Sequence, residues 1–145
     1  MPELATVTVV GVVVLAVLTV IFLKVRQKDL TGAMMEKRRA SSKIVSRADY
    51  VEGAEKIPVA LSLTTDCLYY ENPDLEASFE LNRLDEIEYA EDLATGQEIG
   101  ASCRVLRLRS HGATFEFVLD QVEAAKWAAA LPARTYGNQP SARAV

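Results

Sequence analysis

The residues able to do covalent or acid–base chemistry are few in this chain: two cysteines, one histidine and a cluster of carboxylates. Cys67 and Cys103 lack CxxC spacing, and a single His adds too little to complete a metal-ligand set. His111 stands in a Ser-His-Gly turn, with no Ser or Cys set in a nucleophile context. Asp85, Glu86, Glu88, Glu91 and Asp92 are dense, which suits a solvated acidic face. A catalytic pair needs one carboxylate in an apolar site, and this run offers none. Gly96 and Gly100 do not form a phosphate loop. The expectation is a non-enzymatic chain with no cofactor and no metal.

Basic residues fall into a more telling pattern. Arg104, Arg107 and Arg109 interleave with Val105, Leu106 and Leu108, a candidate strip for an acidic partner. The competing reading is a solvated strand face opposite Glu and Asp neighbours. Residues 24–47 hold eight basic against two acidic residues, a net of +6. Residues 48–145 hold eight basic against seventeen acidic, a net of −9. An acidic domain repels phosphate backbones, so nucleic acid is not expected as a partner. The whole-chain values, 25% charged and a net charge of −4, hide this division.

The elements that carry these charges begin with an apolar run. Residues 4–23, LATVTVVGVVVLAVLTVIFL, contain no charge. About 20 residues in a helix span a hydrocarbon core of roughly 30 Å. Hydrocarbon forces every amide to be satisfied internally, so helix is expected despite the β-branched valines. A cleaved signal peptide would want a basic start and a small-residue cleavage site; MPE at the front and Phe22-Leu23-Lys24 at the back supply neither. Residues 1–23 are therefore expected to be an uncleaved anchor. Lys24, Arg26 and Lys28 follow it directly, with Lys37, Arg38 and Arg39 within reach of the same surface, while the N-terminal flank has no Lys or Arg. This asymmetry orients the chain with its N-terminus outside and its C-terminal domain in the cytoplasm, at an inner membrane. Thr8, Gly11, Leu15 and Thr19 share one helical face, a candidate packing face for another helix.

Residues 24–53 read as a basic juxtamembrane linker with a break at Gly32. Its charges suit contact with anionic headgroups, at about 1 kcal/mol per basic residue near the surface. Arg38 to Lys43 is faintly similar to the RxxxR opening of PilZ domains. Nothing between Val59 and Asn72 supplies the D/N-x-S-x-x-G motif those domains also need.

From Val59 the period changes to two. Residues 59–63, 67–71, 77–81, 87–93, 103–110 and 114–119 read as strands, separated by turns at Thr64-Thr65-Asp66, Asn72-Pro73-Asp74 and Ser110-His111-Gly112. Asp120 then suits an N-cap, with Glu123 completing a capping-box-like pair. Ala124, Trp127, Ala128 and Leu131 recur at helical spacing, and Pro132 stops the helix. Residues 133–145 have no periodicity and read as a disordered tail.

The segment Leu61-Ser62-Leu63-Thr64-Thr65-Asp66-Cys67-Leu68-Tyr69-Tyr70 resembles the opening hairpin of the pleckstrin-homology-like superfold, in its bacterial and GRAM-type versions. Phe79 to Ile87 is similar to the strand-then-"L-x-x-I" step of that family, and the helix with Trp127 to its closing helix. The resemblance implies an antiparallel barrel or sandwich of six or seven strands over residues 54–132, capped by a C-terminal helix. Lipid-binding members carry a basic pocket in the first hairpin loop. Here that loop is Thr64-Thr65-Asp66, which argues against phosphoinositide binding.

The resulting expectation is a single-pass membrane protein whose domain docks on a larger membrane protein complex as a scaffold or accessory subunit, an energy-transducing complex being one candidate. The alternative is a membrane-surface sensor that binds anionic lipid through the basic linker.

Overall fold

The computed structural model describes residues 2–135, and the side chains of all of these except residues 2–5, 27 and 28. The chain runs as a long helix α1 (Pro2–Arg39), then β1 (Ile44–Glu52), β2 (Glu55–Leu63), β3 (Cys67–Asn72) and β4 (Leu75–Glu80). A short 3-10 turn (Leu81–Arg83) leads to β5 (Glu86–Ala90), β6 (Cys103–Ser110), β7 (Ala113–Asp120) and the closing helix α2 (Gln121–Ala130).

The apolar run is helical throughout, and from Thr6 onward it is long and apolar enough to cross a membrane. Its valines and leucines from Val7 to Val25 are exposed, with no other described residue covering them. The helix does not stop at Gly32, where the sequence suggested a break. Leu30, Met34, Met35, Glu36, Lys37 and Arg38 are good helix formers, so they outweigh the roughly 1 kcal/mol that one Gly costs. Lys37, Arg38 and Arg39 lie in the last turn, where positive charge complements the helix dipole. Ser41 ends the helix, its N–H donating to the Arg38 carbonyl at 3.1 Å.

All seven strands form one open antiparallel sheet in the order β4-β3-β2-β1-β7-β6-β5. The segment that the sequence read as linker therefore holds the central strand. β1 eluded periodicity because apolar residues sit on both of its faces. Ile44, Ala48 and Tyr50 point inward with Ser46, while Val45 and Val51 point outward with Arg47 and Asp49. Its pairing with β2 runs the full length, from Ile44↔Leu63 to Glu52↔Glu55. The expected fourth strand, 87–93, is shorter in fact. It ends at Ala90, and Leu93 instead packs with Val105 and Val118 in a small cluster on the outer face.

The sheet curls strongly. β4 and β7 lie four interstrand steps apart, which in a flat sheet would be about 19 Å. Yet the Phe79 and Phe115 rings meet with centroids 4.7 Å apart. The inner face thus encloses a single core, in which Tyr50, Tyr70, Phe79 and Phe117 interlock at centroid distances of 5.1–5.5 Å.

Helix α2 closes the other end of this core. Trp127 is fully buried, and its indole N–H donates to Ser46 Oγ at 2.9 Å. Ser46 in turn donates to the Glu123 carboxylate, which also accepts from Lys126 at 2.9 Å. Glu123 therefore does not complete a capping box, and Asp120 makes no side-chain capping bond. Ala124, Trp127 and Leu131 are buried as the spacing implied, whereas Ala128 is exposed. Beyond Pro132 the chain is ordered at least through Arg134. Its N–H and C=O exchange bonds of 2.8 and 2.7 Å with Ile87, covering the free edge of β5. Residues 136–145 of the expected tail lie outside the described residues.

Candidate functional site

The feature that joins the two halves of the molecule is the junction between α1 and the outer face of β1, β2 and β3. Small outward side chains on β2, Ala60 and Ser62, are almost fully buried beneath the helix and let it approach closely. Thr31 is 2% exposed here, and Met34 and Met35 are half-buried. Gly32 faces β1: a Cβ at that position would stand 3.3 Å from the Arg47 guanidinium. The helix runs on through it without a break, so it is not a hinge.

Arg38 secures the far end of the junction. Its Nε donates to Glu71 Oε2 at 3.2 Å, and its Nη2 makes a second bond to Glu71 Oε1. The guanidinium also lies 4.3 Å from the centroid of the Tyr69 ring and 3.6 Å from Glu76. The bond to Glu71 holds the Arg38 pKa above its ordinary value, against the opposing effect of burial. A bidentate Arg–carboxylate pair fixes orientation as well as distance. Beside the start of the junction is a cavity of about 180 Å³, bounded by Thr31, Arg47, Asp49, Pro58, Val59 and Val118.

The six residues expected to orient the chain are thus divided by the structure. Lys24 and Arg26 are exposed on the helix; Lys28 has no described side chain. Lys37 is exposed, Arg39 pairs with Glu36 at 3.4 Å, and Arg38 is committed to the sheet. Thr8, Gly11, Leu15 and Thr19 are exposed on one helical face, with Thr19 Oγ1 donating to the Leu15 carbonyl at 2.8 Å. Apart from its chain neighbours and the backbone of its own helix, no described heavy atom lies within 4 Å of where a Gly11 Cβ would be.

Arg104, Arg107 and Arg109 are not gathered into one strip. Arg107 and Arg109 share the outer face with Val105, whereas Arg104 has the inward parity of Leu106 and Leu108. Each meets a carboxylate of this chain: Arg104 with Glu91 at 3.3 Å, Arg109 with Glu86 at 3.5 Å, Arg107 with Glu88 at 2.9 Å and Glu116 at 3.2 Å. Burial alone would lower the Arg107 pKa, but its bonds to Glu88 and Glu116 outweigh that and raise it. Glu116 also accepts from Ala94 N–H at 3.0 Å, and Arg107 donates to the Asp92 carbonyl at 3.0 Å. The network pins the long β5–β6 loop to the sheet. Sequence spacing could not reveal this, because the loop partners are set by how β6 and β7 pair.

The chemistry-bearing residues remain apart. Cys67 and Cys103 are free thiols on β3 and β6. His111, at φ 50°, forms the β6–β7 turn; Ser110 Oγ lies 2.9 Å from its Nδ1, and Asp85 accepts its backbone N–H. Asp85 thus buttresses a turn and does not face the imidazole. Among the described residues no three His, Cys, Asp or Glu side chains group as metal ligands. Compared with known proteins, the chain matches no family model, no curated protein and no solved structure.

Proposed function

We propose that this chain is a non-enzymatic, single-pass membrane protein that presents its sheet domain at a fixed height as a docking module for a membrane protein complex. The observation that carries the reading is the unbroken helix. From Leu23 to Arg39 it rises about 24 Å and ends clamped to the sheet by Arg38 and Glu71. A flexible tether would only raise local concentration; a rigid one also fixes which surface of the domain faces a neighbour. The basic flank at Lys24 and Arg26 supports an N-terminus outside and a domain in the cytoplasm at the inner membrane. Two meanders joined through β1 and β7, closed by a Trp-bearing helix, support a pleckstrin-homology-like fold. Purification of the full chain in mild detergent, with identification of co-purifying subunits, tests the proposal. Stoichiometric membrane subunits are expected; a chain that purifies alone overturns it.

A lipid-sensing role has narrower support, from the exposure of Lys24 and Arg26. It predicts that anionic lipid in nanodiscs slows amide exchange over residues 24–30 in a salt-sensitive way. Identical exchange in neutral and anionic nanodiscs counts against it.

A further inference from the structure

The two edges of the sheet are treated differently. At β5, Ile87 has both backbone groups bonded to Arg134, so that edge is covered by the chain itself. At β4 nothing does the same among the described residues. The hairpin register shows which groups are left over. Asn72↔Leu75, Tyr70↔Ala77 and Leu68↔Phe79 have the parity of the pair closing the two-residue turn, and Leu81 N–H continues it by donating to the Asp66 carbonyl at 2.9 Å. In an antiparallel ladder the alternate residues point their N–H and C=O away from the partner. Those residues are Glu76, Ser78 and Glu80, all exposed. Their side chains point to the outer face, while Leu75, Ala77 and Phe79 turn toward the core.

We propose that the β4 edge, Glu76 to Glu80, is a docking site for an extended segment of another protein that carries Lys or Arg at alternate positions. The proposal rests on the docking reading above and deepens it by naming the surface and the chemistry of the partner. Charge complementarity selects the occupant. Glu76 and Glu80 flank Ser78 with side chains 77% and 53% exposed; Arg38, 3.6 Å from Glu76, is held mainly by Glu71, and Arg83 shares Glu80 at 2.8 Å. A cavity of about 440 Å³ at the Glu80 end is lined by Thr65, Asp66, Cys67, Glu80, Leu81 and Asn82, where Asp66 adds a carboxylate to the Glu80 that Arg83 shares. At the Glu76 end, Glu71, Asp74 and Glu76 outnumber Lys37 and Arg38, so the edge stays acidic on balance. A second copy of this chain is the poorer occupant by the same charges. Antiparallel pairing about Ser78 would set Glu76 opposite Glu80 of the other copy, and like charges directly opposite destabilise a ladder. The edge also lies beyond β3, where α1 ends, on the side of the domain that the helix carries away from its apolar run.

The test uses the full chain in neutral detergent and a fluorescein-labelled seven-residue peptide of alternating Lys and Thr. Saturable anisotropy is expected, with slowed amide exchange at Glu76, Ser78 and Glu80, and at least tenfold weaker binding by a Glu/Thr peptide. Ser78→Pro removes an outward N–H that β3 does not use, so the fold tolerates it while the docked strand loses a central bond. Tenfold weaker peptide binding with an unchanged thermal transition is expected. Should that variant melt early, Glu76→Lys with Glu80→Lys replaces it, and preference should switch to the acidic peptide. Unaltered binding by Ser78→Pro, unaltered preference after charge reversal, or unprotected edge amides would overturn the proposal. Co-purifying subunits retained equally by wild type and Ser78→Pro would overturn the edge site alone; none with wild type would overturn the docking reading itself.

Discussion

Arg38 and Glu71 are thirty-three positions apart and make a two-pronged ion pair that ties the end of α1 to β3. Their side chains are 23% and 10% exposed, so the pair is shielded from solvent far more than a surface salt bridge. Arg38→Ala leaves the Glu71 carboxylate buried and unpaired, at a cost of about 2 kcal/mol. The expected result is a lower thermal midpoint and faster amide exchange over Leu30–Arg39, with a smaller loss for Glu71→Gln. Unchanged exchange in Arg38→Ala would show that the clamp does not hold the helix.

Gly32 provides an independent check on the same junction. In a continuous helix Gly32→Ala gains about 1 kcal/mol of helix propensity, while the added Cβ, 3.3 Å from Arg47 Nη2, asks the end of that long side chain to give by a few tenths of an ångström. The variant should melt at a higher temperature. Gly32→Pro should cost about 3 kcal/mol and free the domain from the helix. Equal melting of all three proteins would restore a hinge at this position.

Ser46→Ala removes the acceptor for a fully buried indole N–H. An unsatisfied buried donor costs about 1–3 kcal/mol, and the Glu123 carboxylate loses a donor as well. Trp127→Ala should cost more, about 3–5 kcal/mol, because it also empties the core. The chain has a single Trp, so its fluorescence reports urea unfolding of the Ser46 variant directly.

Acid should weaken this same end of the fold. The Ser46 hydrogen bond, aided by Lys126, holds the Glu123 pKa below its ordinary value. A depressed carboxylate contributes stability that is complete above its unfolded-state pKa. That contribution is lost as pH falls through the folded value. Urea midpoints should therefore drop on acidification below the usual carboxylate range, and Glu123→Gln should flatten that limb. A variant with the same acid slope as wild type would remove Glu123 as the cause.

His111 sits at φ 50° beside Gly112 at φ 79°, two consecutive positive values that define a type I′ hairpin turn. Asn adopts this conformation more readily than His. His111→Asn should raise stability by about 0.5–1 kcal/mol, measured by urea denaturation. A loss would mean that the Ser110 contact to the imidazole outweighs the strain.

The apolar run, the strands from β2 onward and the Trp-bearing helix could be read from the sequence because each is governed by local periodicity. Twenty uncharged residues dictate a helix wherever they find hydrocarbon, and alternation marks a strand with one wet face. The −9 of residues 48–145 likewise belongs to composition alone. Three things waited for the tertiary structure. β1 has apolar residues on both faces, because α1 covers part of its outer side and Val51 packs against the Leu93 cluster there, so no period of two marks it. Arg38 and Arg39 are neighbours of equal charge, yet only the docking angle of α1 sends Arg38 to Glu71. Arg104, Arg107 and Arg109 looked like one strip until strand parity put Arg104 on the other face and cross-strand pairing supplied each with a carboxylate. Local sequence sets what each segment can form. Which charges remain available is decided only when distant segments meet, since ion pairs and burial depend on neighbours in space.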